Sequence, residues 1–346
     1  MLRYLTAGES HGKGLVAILE GLPVGLAIDE DLINTELRRR QMGFGRGGRM
    51  KIEKDTVEIF AGVRKGATTG GPLALIIRNR DFRLANISRV DCPRPGHADL
   101  AGLLKYGFSD ARDVLERASA RSTAATVAVG AAAKTLLSEF RIGITSSIIS
   151  IGGQTSPEGR RSRVEEAMER KDTVGGVFEI TARNVPAGLG SYIQPDRRLD
   201  ARIAAAMLSI PGTKGVEIGL GFGYGQRLGS QVHDPISYIK GKGWRRASNN
   251  AGGIEGGISN GEPLVIRAVM KPIATLLAPL PSVDIRSRRP ARASVERSDI
   301  CAVEPAAVVA ESALALVLAD ALLEKFGGDR ISDTKAAYAA YMRRTK

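Results

Sequence analysis

Along the chain, hydrophobic positions switch between a strand-like and a helix-like period. Short apolar runs predict strands over 15–19, 57–63, 73–77, 142–151, 177–184, 215–220 and 264–270. Longer patterns predict helices over 29–41, 97–108, 118–140 and 305–326. The first opens on Asp29, Glu30 and Asp31 and closes on Arg38, Arg39 and Arg40, the charge order a helix dipole favours. Segment 118–140 is mostly Ala, Ser, Thr and Gly as far as Leu136. Side chains that small let a second helix or a ligand approach closely, so this helix belongs in the interior. Segment 305–326 has Pro305 in its first turn and Gly327-Gly328 to stop it. The glycine-containing stretch 65–71 predicts a hairpin joining 57–63 to 73–77. Without a strict βαβ rhythm, the pattern implies an α+β fold with antiparallel sheets rather than a doubly wound one.

The 41 glycines and 15 prolines punctuate the whole chain without forming a linker, and no short-period repeat is evident, so residues 1–346 read as one domain. No stretch approaches the ~20 consecutive apolar residues of a membrane span. Only seven residues precede Gly8-Glu9-Ser10-His11-Gly12, too few for a signal peptide, and a cytoplasmic location is expected. Cys92 and Cys301 form no CxxC motif, so neither a disulfide framework nor a metal site is expected. Net charge changes the picture more. With 50 Lys+Arg against 37 Asp+Glu the chain carries +13, which favours polyanionic partners. Aromatics are only 5%, the arginines sit in glycine-rich turns, and no nucleic-acid-binding signature occurs. Phosphorylated or carboxylated small molecules are therefore the expected ligands, ahead of nucleic acid.

Two motif matches fail on context. Gly8-Glu9-Ser10-His11-Gly12 fits the G-x-S-x-G nucleophile elbow, but an elbow caps an inner strand laid down after several others. Gly43-Phe44-Gly45-Arg46-Gly47-Gly48 fits G-x-G-x-x-G, but a helix rather than a strand precedes it. What remains there is a flexible turn bearing Arg40, Arg46 and Arg49.

The three histidines are His11, His97 and His233. The first two lie beside glycines, in Gly8-Glu9-Ser10-His11-Gly12 and Arg94-Pro95-Gly96-His97-Ala98-Asp99, where backbone can approach a ligand and imidazole can move a proton near neutral pH. His233 is given a structural role. Together with Glu116-Arg117-Ala118-Ser119-Ala120-Arg121, the stretch from Gly252-Gly253-Ile254-Glu255-Gly256 to Gly261, Lys271-Pro272-Ile273-Ala274-Thr275 and Arg297-Ser298-Asp299, these motifs resemble the chorismate synthase family in order and spacing. The likeness runs from about residue 3 to Lys335.

That resemblance implies a β-α-β sandwich with central helices between antiparallel sheets, and a homotetramer. It implies the 1,4-anti elimination of phosphate from 5-enolpyruvylshikimate-3-phosphate to give chorismate, with reduced flavin mononucleotide (FMN) required but not consumed. It places His11 at the leaving phosphate, His97 at the flavin and Asp299 on the path of the departing ring proton. Arg117, Ala118, Ser119, Pro211, Gly212, Gly256, Lys271, Pro272, Ile273, Ala274, Thr275 and Arg297 become FMN contacts. Ser10, Arg40, Arg46, Arg49, Arg94 and Arg121 become the substrate clamp, Arg40 and Arg46 being also linked with NADP. Arg117–Ser119 would sit at the start of the small-residue helix, a natural anion site. An external source of reduced FMN is expected. The rival readings are an added NAD(P)H-dependent flavin reductase activity and a basic nucleic-acid-binding protein. The chain departs from the family pattern at Phe44, where tyrosine is common, and at Ser122 and Thr126, where glutamate and arginine are usual.

Overall fold

A computed structural model of the chain describes residues 1–48, 52–240, 243–296 and 298–345. Two four-stranded antiparallel sheets enclose a layer of helices. The first sheet orders its strands Arg3–Ala7, Gly14–Glu20, Leu73–Arg78, Val57–Ala61. The second orders them Gly143–Ile151, Gly176–Arg183, Leu264–Met270, Thr213–Ile218. Period-two alternation decides which face is covered. Leu15, Ala17 and Leu19 are buried on the inner face of the first sheet, while Val16 and Ile18 between them face outward. Phe178, Ile180, Ala182, Leu264 and Ile266 do the same work for the second sheet.

Between the sheets, helix Thr123–Ser138 packs on the first and helix Val303–Phe326 on the second, and the two pack on each other. The small side chains foreseen over 118–140 make this possible. A Cβ on Gly130 would stand 2.3 Å from Ser312 Cβ, so the helices touch almost backbone to backbone. By length and composition Val303–Phe326 could cross a membrane, but 89% of its most apolar window is buried inside the protein. Sheet residues on one side and helices on the other cover it.

Helix Glu30–Gln41 joins the central layer, capped by Asp29, whose carboxylate accepts from the Asp31 amide. It is fastened by a wholly buried carboxylate. Glu311 accepts from Arg39 Nη1 and Nη2 at 2.7 Å each, from Lys134 Nζ at 2.5 Å and from Ser146 Oγ at 2.6 Å. Burial alone would push the Glu311 carboxyl up; Arg39, Lys134 and Ser146 outweigh it and hold it below the usual range. The next residue on that helix, Arg40, therefore enters the interior at a fixed position.

The expected hairpin between 57–63 and 73–77 forms, with a bulge near Ala61 and a small Val63–Arg64/Ala67–Thr68 ladder in its connection. The segment expected as one helix over 118–140 is instead three pieces. Helix Ala111–Ala118 ends at Ser119, a 3₁₀ turn covers Ala120–Ser122, and the small-residue helix begins at Thr123. Ser119 breaks the run because its extended backbone lets its Oγ accept from the Arg121 amide. Strand Arg3–Ala7 and helices Pro157–Glu169, Leu199–Leu208 and Ile331–Arg344 are further elements that the hydrophobic pattern did not predict.

Replacing Gly130 by alanine should force the two central helices apart. We expect a loss of about 1–3 kcal/mol in urea unfolding, despite alanine's better helix propensity. An unchanged midpoint would contradict the close packing.

Candidate functional site

A cleft of about 430 Å³ opens where the Ser10–His11 turn, the end of helix Glu30–Gln41 and the start of the long helix meet. That volume is ordinary for small-molecule sites, roughly 300–1,000 Å³. Its walls bring together His11, His97 and Asp299 with Ser10, Arg40, Arg46, Arg94 and Arg121. Ala118, Ser119, Pro211, Gly212 and the run Lys271 to Thr275 complete it.

The Gly8–Gly12 motif is a strand–turn–strand connection, not a strand–turn–helix elbow. Gly8 has φ 110°, and a Cβ there would meet Gly14 O at 2.3 Å, so the turn folds back onto its own exit strand. This delivers His11, buried, against Glu116. The carboxylate accepts from the His11 amide at 2.7 Å and from ring Nδ1 at 2.9 Å, fixing both the backbone and the imidazole. Burial would raise the Glu116 carboxyl; the His11 hydrogen bonds and nearby Arg112 hold it below its ordinary value.

His97 is braced the same way. Its Nδ1 lies 2.5 Å from Asp99 Oδ1, which puts the ring proton on Nδ1. Asp99 is fully buried and also accepts from Arg94 Nε at 2.8 Å and Nη2 at 3.0 Å. Burial pushes the Asp99 carboxyl up, but His97 and Arg94 win and hold it far below the carboxylate range. Arg94 Nη1 reaches Thr275 Oγ1 at 2.8 Å, and Lys271 Nζ donates to Gly96 O, so the 94–99 turn is bolted to the 271–275 segment. Burial, with Lys214 nearby, lowers Lys271.

The glycine-rich loop 43–48 docks on 298–301. Gly45 O accepts from Ile300 N at 2.8 Å, and a Cβ on Gly47 would stand 2.5 Å from Ser298 O. Close backbone contact, not a pyrophosphate, explains these glycines. Asp299 accepts from Gly47 N at 2.6 Å and pairs with Arg46 Nη1 at 2.8 Å. Arg40 and Arg121 share Asp55, at 3.2 and 2.5 Å. Burial, opposed by Asp55 and assisted by Arg121 and Arg46, pushes the Arg40 guanidinium down to about 10, which leaves it charged at neutral pH. Of the guanidinium nitrogens on the cleft wall, Arg46 Nε and Arg121 Nη2 have no hydrogen-bond partner among the described residues, although Glu53 Oε2 lies 3.9 Å from the latter. The described lining side chains include six cations (Arg40, Arg46, Arg83, Arg94, Arg121, Lys271) and three carboxylates (Asp81, Glu296, Asp299).

Several expected residues do not join this group. Arg117 closes the last turn of helix Ala111–Ala118 and its exposed guanidinium donates to Thr6 O and Oγ1, so Arg117–Ser119 is no helix N-terminus and no anion site on that ground. Gly256 lies in the turn of the Ile254–Glu255/Ile258–Ser259 hairpin, off the cleft wall. Arg49 and Arg297 fall outside the described residues. His233 is exposed and does not line the cleft. Phe44 carries the Arg161 guanidinium 4.6 Å above its ring in place of a hydroxyl contact, and Ser122 Oγ donates to Ser119 O at 3.0 Å. Sequence reasoning passed over Asp55, Asn79, Asp81, Arg83, Asp99 and Glu116. Glu116 and Asp99 stood inside the quoted motifs, and a histidine between glycines needs a carboxylate to orient it; that signal was present.

The chorismate synthase sequence model matches residues 2–323. A chorismate synthase of Caldanaerobacter subterraneus subsp. tengcongensis is 54% identical over 344 residues, covering 99% of this chain and 98% of its own length. That of Aquifex aeolicus is 52% identical over 391 aligned positions, covering 100% and 98%. A crystal structure of a chorismate synthase superposes with TM-score 0.83 at 46% identity, covering 99% of this chain and 98% of that one.

Asp99→Asn should cost about 3–5 kcal/mol at neutral pH, because it uncouples a buried charge pair. Since the folded carboxyl is held low, its stabilisation is complete above roughly pH 4 and fades as pH falls towards the folded value. The gap between the urea midpoints of the two proteins should therefore hold from pH 7 to about pH 4 and narrow below it. A gap that does not narrow below about pH 4 would count against the ionised Asp99.

Proposed function

The chain belongs to the chorismate synthase family of carbon–oxygen lyases, and from that membership we propose that it eliminates phosphate from 5-enolpyruvylshikimate-3-phosphate, using reduced FMN, to give chorismate. One observation carries the reading: five arginines, two of them with a guanidinium nitrogen that has no hydrogen-bond partner among the described residues, line the same cleft as two carboxylate-braced histidines. A ligand bearing two carboxylates and a phosphate beside a flavin phosphate could be buried only against matched cations.

The residues present fit the cofactor. Arg46 Nε and Arg121 Nη2, without hydrogen-bond partners among the described residues, can donate to an anion, and Ile210, Met270, Ile273 and Val309 offer an apolar wall for a flat ring. Ala118, Ser119, Pro211, Gly212 and the run Lys271 to Thr275 would hold it, with His97 beside them. When bound, reduced FMN supplies an electron-rich ring that favours breaking of the substrate C–O bond. The chain does the rest. Arg40, Arg46 and Arg121 orient the substrate and neutralise the departing phosphate. His11, with its Nδ1–H held by Glu116, delivers a proton to that phosphate from Nε2. Asp299 fixes the Arg46 loop and accepts the ring proton, since each of its oxygens can take a second hydrogen bond.

We keep three further elements within this proposal. Reduced FMN is taken to come from outside, with Arg40 and Arg46 assigned to the substrate rather than to NADP. Assembly as a homotetramer is supported by Leu5, Val16 and Ile18, an apolar set exposed on the outer face of the first sheet. A cytoplasmic site of action accords with two unbridged cysteines.

Anaerobic incubation with dithionite-reduced FMN and the enolpyruvyl substrate should generate chorismate absorbance, and silence there would end the proposal. NADPH with oxidised FMN should give none; product in that mixture would restore the reductase reading. His11→Ala should lower turnover at least tenfold while FMN still binds, and undiminished turnover would remove His11 from the chemistry. Asp299→Asn should slow proton removal, read as an altered isotope effect at substrate C6.

A further inference from the structure

One buried side chain touches both halves of the cleft without lining it. Asn79 follows strand Leu73–Arg78, opposite the point where strand Gly14–Glu20 begins, and its amide donates to Lys13 O at 3.0 Å. The sheet therefore fixes its backbone. Its Nδ2 points into the Glu9–Gly12 turn and donates to three carbonyls, Glu9 O at 3.2 Å, Ser10 O at 3.1 Å and Gly12 O at 2.8 Å. Of these, Glu9 O also takes the Gly12 amide at 3.2 Å within the turn; buried carbonyls need such donors. Its Oδ1 accepts from Arg121 Nε at 2.9 Å. The amide cannot be flipped, because flipping would set oxygen against three oxygens and NH₂ against a guanidinium.

Arg121 is thereby held at two nitrogens, by Asn79 at Nε and by Asp55 at Nη1, and its third, Nη2, has no hydrogen-bond partner among the described residues, with Glu53 Oε2 3.9 Å away. The same amide that aims Arg121 secures the turn on which His11 rides. We propose that Asn79 is a positioning residue that sets the anion-binding guanidinium of Arg121 and the imidazole of His11 in register with each other. Only Asn provides this. Aspartate keeps the acceptor for Arg121 but loses the donor for the turn, and serine reaches neither.

The inference rests on the cleft being the substrate site, and the test separates the two. With only three histidines in the chain, ¹⁵N NMR resolves each imidazole. In Asn79→Ser the His11 resonances should move while those of His233 stay, turnover should fall at least tenfold, and KM should rise. In Asn79→Asp, the more conservative variant should the serine form fold poorly, turnover should fall similarly while KM stays within about twofold, because Arg121 keeps its acceptor. Combining Asn79→Asp with His11→Ala should be scarcely slower than His11→Ala alone. His11 resonances at wild-type positions in the Asp variant, or fully multiplicative losses in the double variant, would overturn the proposal. Unchanged turnover in His11→Ala alone would instead defeat the substrate-site reading, and the His11 resonances would still decide the case for Asn79.

Discussion

Gathering guanidinium groups in a largely buried cleft is the constraint on which this structure turns. Taken from water without partners, such charges cost several kcal/mol each. The protein meets that cost from behind the wall, where fully buried Asp55, Asp99 and Glu116 each bind two or more donors of the site. Charge is matched, but hydrogen bonding in front is not complete: Arg46 Nε and Arg121 Nη2 have no hydrogen-bond partner among the described residues. An anion entering the cleft meets groups already desolvated and oriented, so little reorganisation remains to oppose binding or charge movement.

The fold supplies rigidity at the points where these groups are attached. Arg40 stands at the end of a helix tethered through Arg39 to Glu311, deep in the central layer. His11 sits on the turn between two paired strands, and His97 on a turn tied to the segment after strand Leu264–Met270. Each sheet thus contributes one histidine, and the close-packed helices between them set the spacing. This explains why the small residues of Thr123–Ser138 matter to chemistry: bulkier ones would move the two walls apart.

Much of this was legible in the residue pattern. The alternation at 15–19 and 264–270 reported strands covered on one face, and the acidic start and basic end of 29–41 reported a helix nearly to the residue. The break at Ser119 was not legible, because no proline or glycine marks a stop there and only a local side-chain hydrogen bond interrupts the run. At the site, histidines and arginines announced themselves through glycine neighbours. Their partners did not. Asp55 and Asn79 lie 66 and 42 residues from Arg121, and nothing in local sequence predicts such pairings. Arg117 misled for the same reason: its motif is in the right place, but the helix phase turns its side chain to Thr6.

Guanidinium nitrogens left without a hydrogen-bond partner among the described residues draw two anionic molecules together in this one cleft, beside His11, His97 and Asp299. A crystal of the protein soaked with FMN and the enolpyruvyl substrate tests it most directly. Both ligands should lie in the cleft in contact with each other, with anionic oxygens within hydrogen-bond distance of Arg46 Nε and Arg121 Nη2. Ligands in separate pockets, or those two nitrogens left unengaged with both molecules bound, would contradict it.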